Sequence, residues 1–179
     1  SNDCGRYWDL TLLLYGLNMP TKYLLDEERI IRFVAWGKLR KDEDDNVLGV
    51  LPDAFALRDG EQSLSVTWCE YFAGAADEQL RCAVEAIRGS MKVSTKSRFA
   101  VGEVVRVRAC AEGRPNARRL RIVHDPQVNN AAHASLINWP KDDWQLLELL
   151  AESEWSQLLT GTDADLLPVT ACPAGPRSE

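Results

Sequence analysis

The sequence lacks most of the motifs that small-molecule chemistry uses. It has two histidines in 179 residues and five cysteines with no CxxC pair among them, so neither a zinc ribbon nor a thioredoxin-like dithiol is expected. GxxxxGK[ST], GxGxxG, GxSxG and HExxH are all missing. Their absence removes the usual signatures of P-loop nucleotide binding, dinucleotide binding, α/β-hydrolase chemistry and zinc peptidase chemistry. Near the start, the longest apolar run, residues 10–17 (LTLLLYGL), is too short to span a bilayer and has no basic flank. No membrane anchor or signal peptide is expected. Cys4, Cys69, Cys82, Cys110 and Cys172 are odd in number and widely spaced. They read as unpaired thiols in a reducing cytosol, which predicts a soluble, cytoplasmic protein.

What remains is ordinary globular material. Hydrophobic residues make up 45% of the chain and charged residues 27%, the balance of a foldable domain. Six tryptophans are spread along the chain and read as packing anchors. Residues 1–160 are expected to form one domain. Residues 161–179 turn proline-rich and aperiodic, and are expected to be a poorly ordered tail.

Periodicity predicts an α+β fold, with a mostly antiparallel sheet built from hairpins and packed by about three helices. Strands are expected at residues 7–15, before the Asn18-Met19-Pro20 break, and at 47–51. A hairpin of 54–57 with Ser63–Trp68 is expected around Asp59-Gly60. A second hairpin would join 99–110 to 117–123 through Glu112-Gly113-Arg114-Pro115-Asn116, and a short strand would follow at 135–138. Helices are predicted at 26–36, where Ile30, Phe33 and Val34 recur at helical spacing, at 77–88 with Asp77 as cap, and at 140–159. Residues 38–46 read as a charged loop.

Charge is the strongest functional signal. The net charge is −6, yet residues 92–121 hold nine basic side chains against Glu103 and Glu112, a local +7 that leaves −13 elsewhere. On the predicted hairpin, Arg106 and Arg108 share one face of the first arm, and Arg119 and Arg121 share one face of the second, with Arg118 beside them. Like charges opposed across two strands need anions nearby. Those anions could be the chain's own acids, an acidic partner protein, or the phosphates of a nucleic acid or nucleotide. The leading reading is therefore a non-catalytic interaction or accessory module that uses this basic face to dock an acidic protein surface or nucleic acid.

A second reading comes from His124-Asp125-Pro126 and His133, which hold both histidines in one segment after a strand. His124 and His133 could act as acid and base, with Asp125 or an asparagine of Asn129-Asn130 orienting a ring, while the arginines hold the phosphate of a nucleotide or nucleic-acid substrate. Against this, strand parity places His124 on the apolar side with Leu120 and Ile122, where it would be a core histidine. No metal ligand set and no cofactor are indicated. A protein partner is expected, and the oligomeric state is left open.

Overall fold

In the computed structural model, residues 21–155, 157–169 and 171–173 are described. The expected strand at residues 7–15 and the break after it lie outside them. The fold is α+β. Its main sheet has six antiparallel strands in the order β6 (Arg121–His124), β7 (His133–Ile137), β4 (Ser63–Trp68), β1 (Arg29–Val34), β5 (Arg98–Glu103) and β8 (Gln157–Leu159), and a separate two-stranded ribbon pairs β2 (Leu39–Lys41) with β3 (Val47–Val50).

The centre of the sheet is β1 (Arg29–Val34), paired along its length with β5 (Arg98–Glu103) and over two residues with β4 (Ser63–Trp68). This corrects the helix expected at 26–36. A central strand covered on both faces has a continuous apolar run that mimics helical spacing. Ile30 and Val34 share a face because they are an even number of residues apart, and Ile31 and Phe33 occupy the other.

Each face of the sheet carries its own apolar cluster. On the first, Ile30, Val34, Leu64, Val66, Trp68, Ile122 and Leu136 pack beneath α2 (Val104–Glu112) and α3 (Trp144–Leu149). Trp155 is fully buried there and stacks on Phe55 at 5.1 Å. Gly102 permits this approach, since a Cβ on it would lie 3.2 Å from the Trp155 ring and 3.1 Å from Val107. On the second face, Ile31, Phe99 and Val101 pack under α1 (Ala76–Ser90) through Leu80, Ala83, Val84 and Ile87.

Several expected elements change character. The strand at 99–110 stops at Glu103 and continues as α2. Val-Arg-Val-Arg alternates like a strand, but Val104, Val107 and Ala111 fall on one helical stripe and bury against the first cluster, so tertiary packing overrides the local pattern. The basic hairpin therefore does not form: β6 (Arg121–His124) pairs with β7 (His133–Ile137) instead. The arm at 54–57 is replaced by a 3₁₀ turn, Pro52–Ala54, and β4 pairs with β7 and β1. The charged loop at 38–46 contains β2 (Leu39–Lys41), which pairs with β3 (Val47–Val50). The long helix at 140–159 becomes α3, a π-helical turn Leu150–Glu154, and β8 (Gln157–Leu159). Trp144, one of the six tryptophans expected to be packing anchors, is 53% exposed. The cap of α1 is Ala75, whose N–H donates to the Glu78 carboxylate at 2.8 Å, rather than Asp77.

The predicted tail also departs from expectation over its first part. Residues Gly161–Leu166 form α4, started by a capping box in which Thr160 and Asp163 exchange bonds of 2.8 and 2.9 Å. Ala164 is fully buried. Asp165 accepts from Arg81 and Arg88, each at 2.7 Å. Beyond α4, a Cys82–Cys172 disulfide ties the chain to α1, and the Ala73 N–H donates to Pro173 at 3.0 Å. The cysteines are therefore not all unpaired. The bonded pair is 90 residues apart, which spacing alone does not disclose. Cys69 and Cys110 are free.

The Arg88 bond, supported by Arg81, holds the Asp165 carboxyl below its ordinary value of 3.8. A carboxyl with a depressed pKa in the folded state stabilises above its unfolded value, and that contribution is lost as the pH falls through the folded value. Asp165→Asn is therefore expected to lower Tm at pH 7, and the gap to wild type should narrow as the pH is lowered toward 2. A gap of the same size at both pH values in a thermal melt would show that charge is not what docks α4.

Candidate functional site

The two histidines do not converge. β6 and β7 pair with His124 opposite Ala134, so neighbouring His133 projects to the other face of the sheet. The His124 ring lies against Trp68 and Tyr71, at 5.4 and 5.3 Å. Its Nε2 donates to the Ala131 carbonyl at 2.8 Å. His124 thus lies on the apolar side that strand parity gave it, but it is half-buried rather than in the core. His133 is 6% exposed. Its Nδ1 donates to the carbonyl of Asp125 at 2.8 Å, and Gln127 donates to its Nε2 at 3.3 Å. Asp125 meets His133 chiefly through its main chain: its Oδ2 is 3.8 Å from Nδ1 and accepts from Ser135 at 2.9 Å.

Asn130, one of the two asparagines between the histidines, organises this loop rather than orienting a ring. It is buried, donates to Thr67 Oγ1 at 2.8 Å, and accepts from the Ala132 N–H at 3.1 Å. Among the described residues, no three His, Cys, Asp or Glu side chains gather as a metal site.

The five arginines assigned to anion binding divide into two groups. Arg106 and Arg108 lie on α2 and are neutralised within the chain, Arg106 by Glu154 at 3.0 Å and Arg108 by Asp26. Arg118, Arg119 and Arg121 are exposed along the approach to edge strand β6. None of the three has an ion pair among the described residues. Arg118 lines a groove of about 570 Å³ with Arg114, Asn116, Trp139 and Lys141. Arg114 is paired there with Asp143 at 2.8 Å, while Lys141 is exposed and has no ion pair among the described residues.

A second concavity was invisible in the sequence. The β1–β4 ladder ends at Ile31↔Thr67, and the strands separate around a cleft of about 630 Å³. Arg32 lies at this separation. Its Nε donates to the Ala54 carbonyl at 2.8 Å and its Nη1 to the Ser65 carbonyl at 2.6 Å. Burial pulls the guanidinium pKa down to about 10, with Glu61 acting in the opposite sense. Thr67, His133 and Asn130 line the same cleft, as do Lys38 and Asp53, which form an ion pair. The one legible signal was an arginine set inside the apolar run Ile30-Ile31-Arg32-Phe33-Val34.

Comparison with known protein families, with curated proteins and with solved structures finds no match to this chain.

Asn130 makes two bonds in a buried setting, so Asn130→Ala leaves the Ala132 N–H without its acceptor. The expected cost is about 1–3 kcal/mol, measured by urea unfolding. A loss below a few tenths of a kcal/mol would mean that the loop holds its shape without Asn130.

Proposed function

We propose that the protein is a non-catalytic interaction module that docks an acidic surface of a protein partner through Arg118, Arg119 and Arg121 at the β6 edge. The observation that carries this reading is the contrast among its arginines. Arg29, Arg40, Arg81, Arg88, Arg106, Arg108 and Arg114 each meet an internal carboxylate, whereas these three stand together, exposed without one among the described residues, a state that Arg58 shares only singly. Paired surface charges gain little from a partner, because the internal acid must first be displaced. Unpaired cations beside a groove that also holds Lys141 steer and orient an acidic surface. The acidic balance of the chain, −6 overall, works against indiscriminate attachment to nucleic acid.

The catalytic alternative, with His124 and His133 as an acid–base pair, has no common cleft to support it, since the two side chains leave opposite faces of the sheet. A cytoplasmic setting belongs to the same proposal. Cys69 and Cys110 are free thiols, and in that compartment Cys82 and Cys172 would stand as a reduced pair. No helix among the described residues is long and apolar enough to cross a membrane.

Fluorescence anisotropy with labelled polyglutamate and with a labelled single-stranded RNA tests the docking face. Wild type is expected to bind polyglutamate in a salt-dependent manner. The triple variant R118E/R119E/R121E should bind at least roughly tenfold more weakly, with an unchanged melting temperature. Equal binding by the variant would remove these arginines from the function. Tighter, arginine-dependent binding to RNA would replace the protein partner with nucleic acid.

A further inference from the structure

We propose that the cleft between β1 and β4 is a binding site for a small anionic molecule, whose carboxylate or phosphate group is held by Arg32. This inference is independent of the docking face at β6.

The geometry begins with backbone parity. The Val104 N–H donates to the Glu28 carbonyl, the Arg29 N–H to Glu70, and the Trp68 N–H to the Ala132 carbonyl. Alternation from these anchors turns the main-chain groups of Glu28, Ile30 and Arg32 toward β5, and those of Arg29, Ile31 and Phe33 toward β4. In β4, Thr67 and Ser65 face β1. Ile31 and Thr67 meet, but the next pair, Phe33 with Ser65, does not form. Both residues line the cleft. The Ser65 carbonyl accepts from Arg32 Nη1 in place of a strand partner.

Arg32 is thus a half-buried cation whose side-chain bonds go to neutral carbonyls. Two of the five N–H groups of a guanidinium are used, on Ala54 and Ser65, and no carboxylate among the described residues comes within ion-pair distance. Glu61, the acid that acts on its charge, accepts from the Arg58 N–H at 2.8 Å instead. A buried charge without a counter-ion is costly, and a guanidinium is built to recover that cost by holding an oxyanion with two parallel bonds. The rest of the cleft is mixed in charge. Lys38, ion-paired with Asp53, and Arg58 stand against the carboxylates of Asp59 and Glu61, while Phe33, Leu57 and Trp144 supply apolar surface. Its volume lies within the range of small-molecule sites. Carboxylate and phosphate share the chemistry of a compact oxyanion, so the two sources are separated by the choice of probe.

The test follows the side-chain Nε–Hε signals of arginine by NMR while wild-type protein is titrated with phenyl phosphate, benzoate and neutral benzamide. Arg32 is expected to show a saturable shift with phenyl phosphate, benzoate or both, and none with benzamide. The responsive probe identifies the source. Lys38→Gln, at a half-exposed position, should weaken that binding several-fold and leave the melt unchanged. The proposal is overturned if neither anion gives a saturable Arg32 shift, if benzamide acts equally, or if every arginine shifts together. In those cases Arg32 is only a staple between β1, β4 and the Pro52–Ala54 turn.

Discussion

Glu70 takes both the backbone N–H and the guanidinium of Arg29, each at 2.7 Å, and the same guanidinium reaches Ala76 and Gln79 at the start of α1. This half-buried contact lies at the start of β1, beside the two-residue pairing with β4. Once that register is set, strand alternation assigns every later side chain to a face. Ile30 and Val34 go to the cluster under α2 and α3, Ile31 and Phe33 to the cluster under α1, and Arg32 to the separation between β1 and β4. A slip by one residue would exchange the two sets and send the guanidinium to the α1 side. The two cores and the cleft therefore share one register, held by the apolar alternation of β1 and its six-residue pairing with β5 as well as by this ion pair.

The chain treats its positive charge in three ways. Some arginines fasten elements together: Arg81 and Arg88 hold α4 to α1 through Asp165, and Arg108 joins α2 to Asp26. Arg32 is set among carbonyls in the cleft. Arg118, Arg119 and Arg121 are left at the sheet edge without an internal anion among the described residues. The basic excess seen in residues 92–121 is thus real as composition but does not form one surface, because α2 carries Arg106 and Arg108 away from the β6 approach.

The legible parts of the sequence were those whose local pattern and tertiary setting agree. Ser-Leu-Ser-Val-Thr-Trp alternates and forms β4, since one of its faces is apolar and the other polar. The inner stripe of α1 was legible for the same reason. Failures occurred where setting overrode pattern. A doubly covered strand looked like a helix at β1, and an alternating helix looked like a strand at α2, where burial of Val104, Val107 and Ala111 decided the outcome. At the candidate sites, the opposite facing of His124 and His133 followed only once the β6–β7 register was known. The cleft was hidden because it arises from a pairing that stops, and no residue type marks such a stop.

Amide hydrogen exchange along β1 and β4 tests the central claim most directly. If the ladder ends at Ile31↔Thr67, the amides of Ile31 and Thr67 are bonded across the strands, while those of Phe33 and Ser65 face the cleft. The account predicts exchange at Phe33 and Ser65 about a hundredfold or more faster than at Ile31 and Thr67. Equal protection at all four positions would mean that the strands close on each other, leaving no separation for Arg32 to occupy and no cleft.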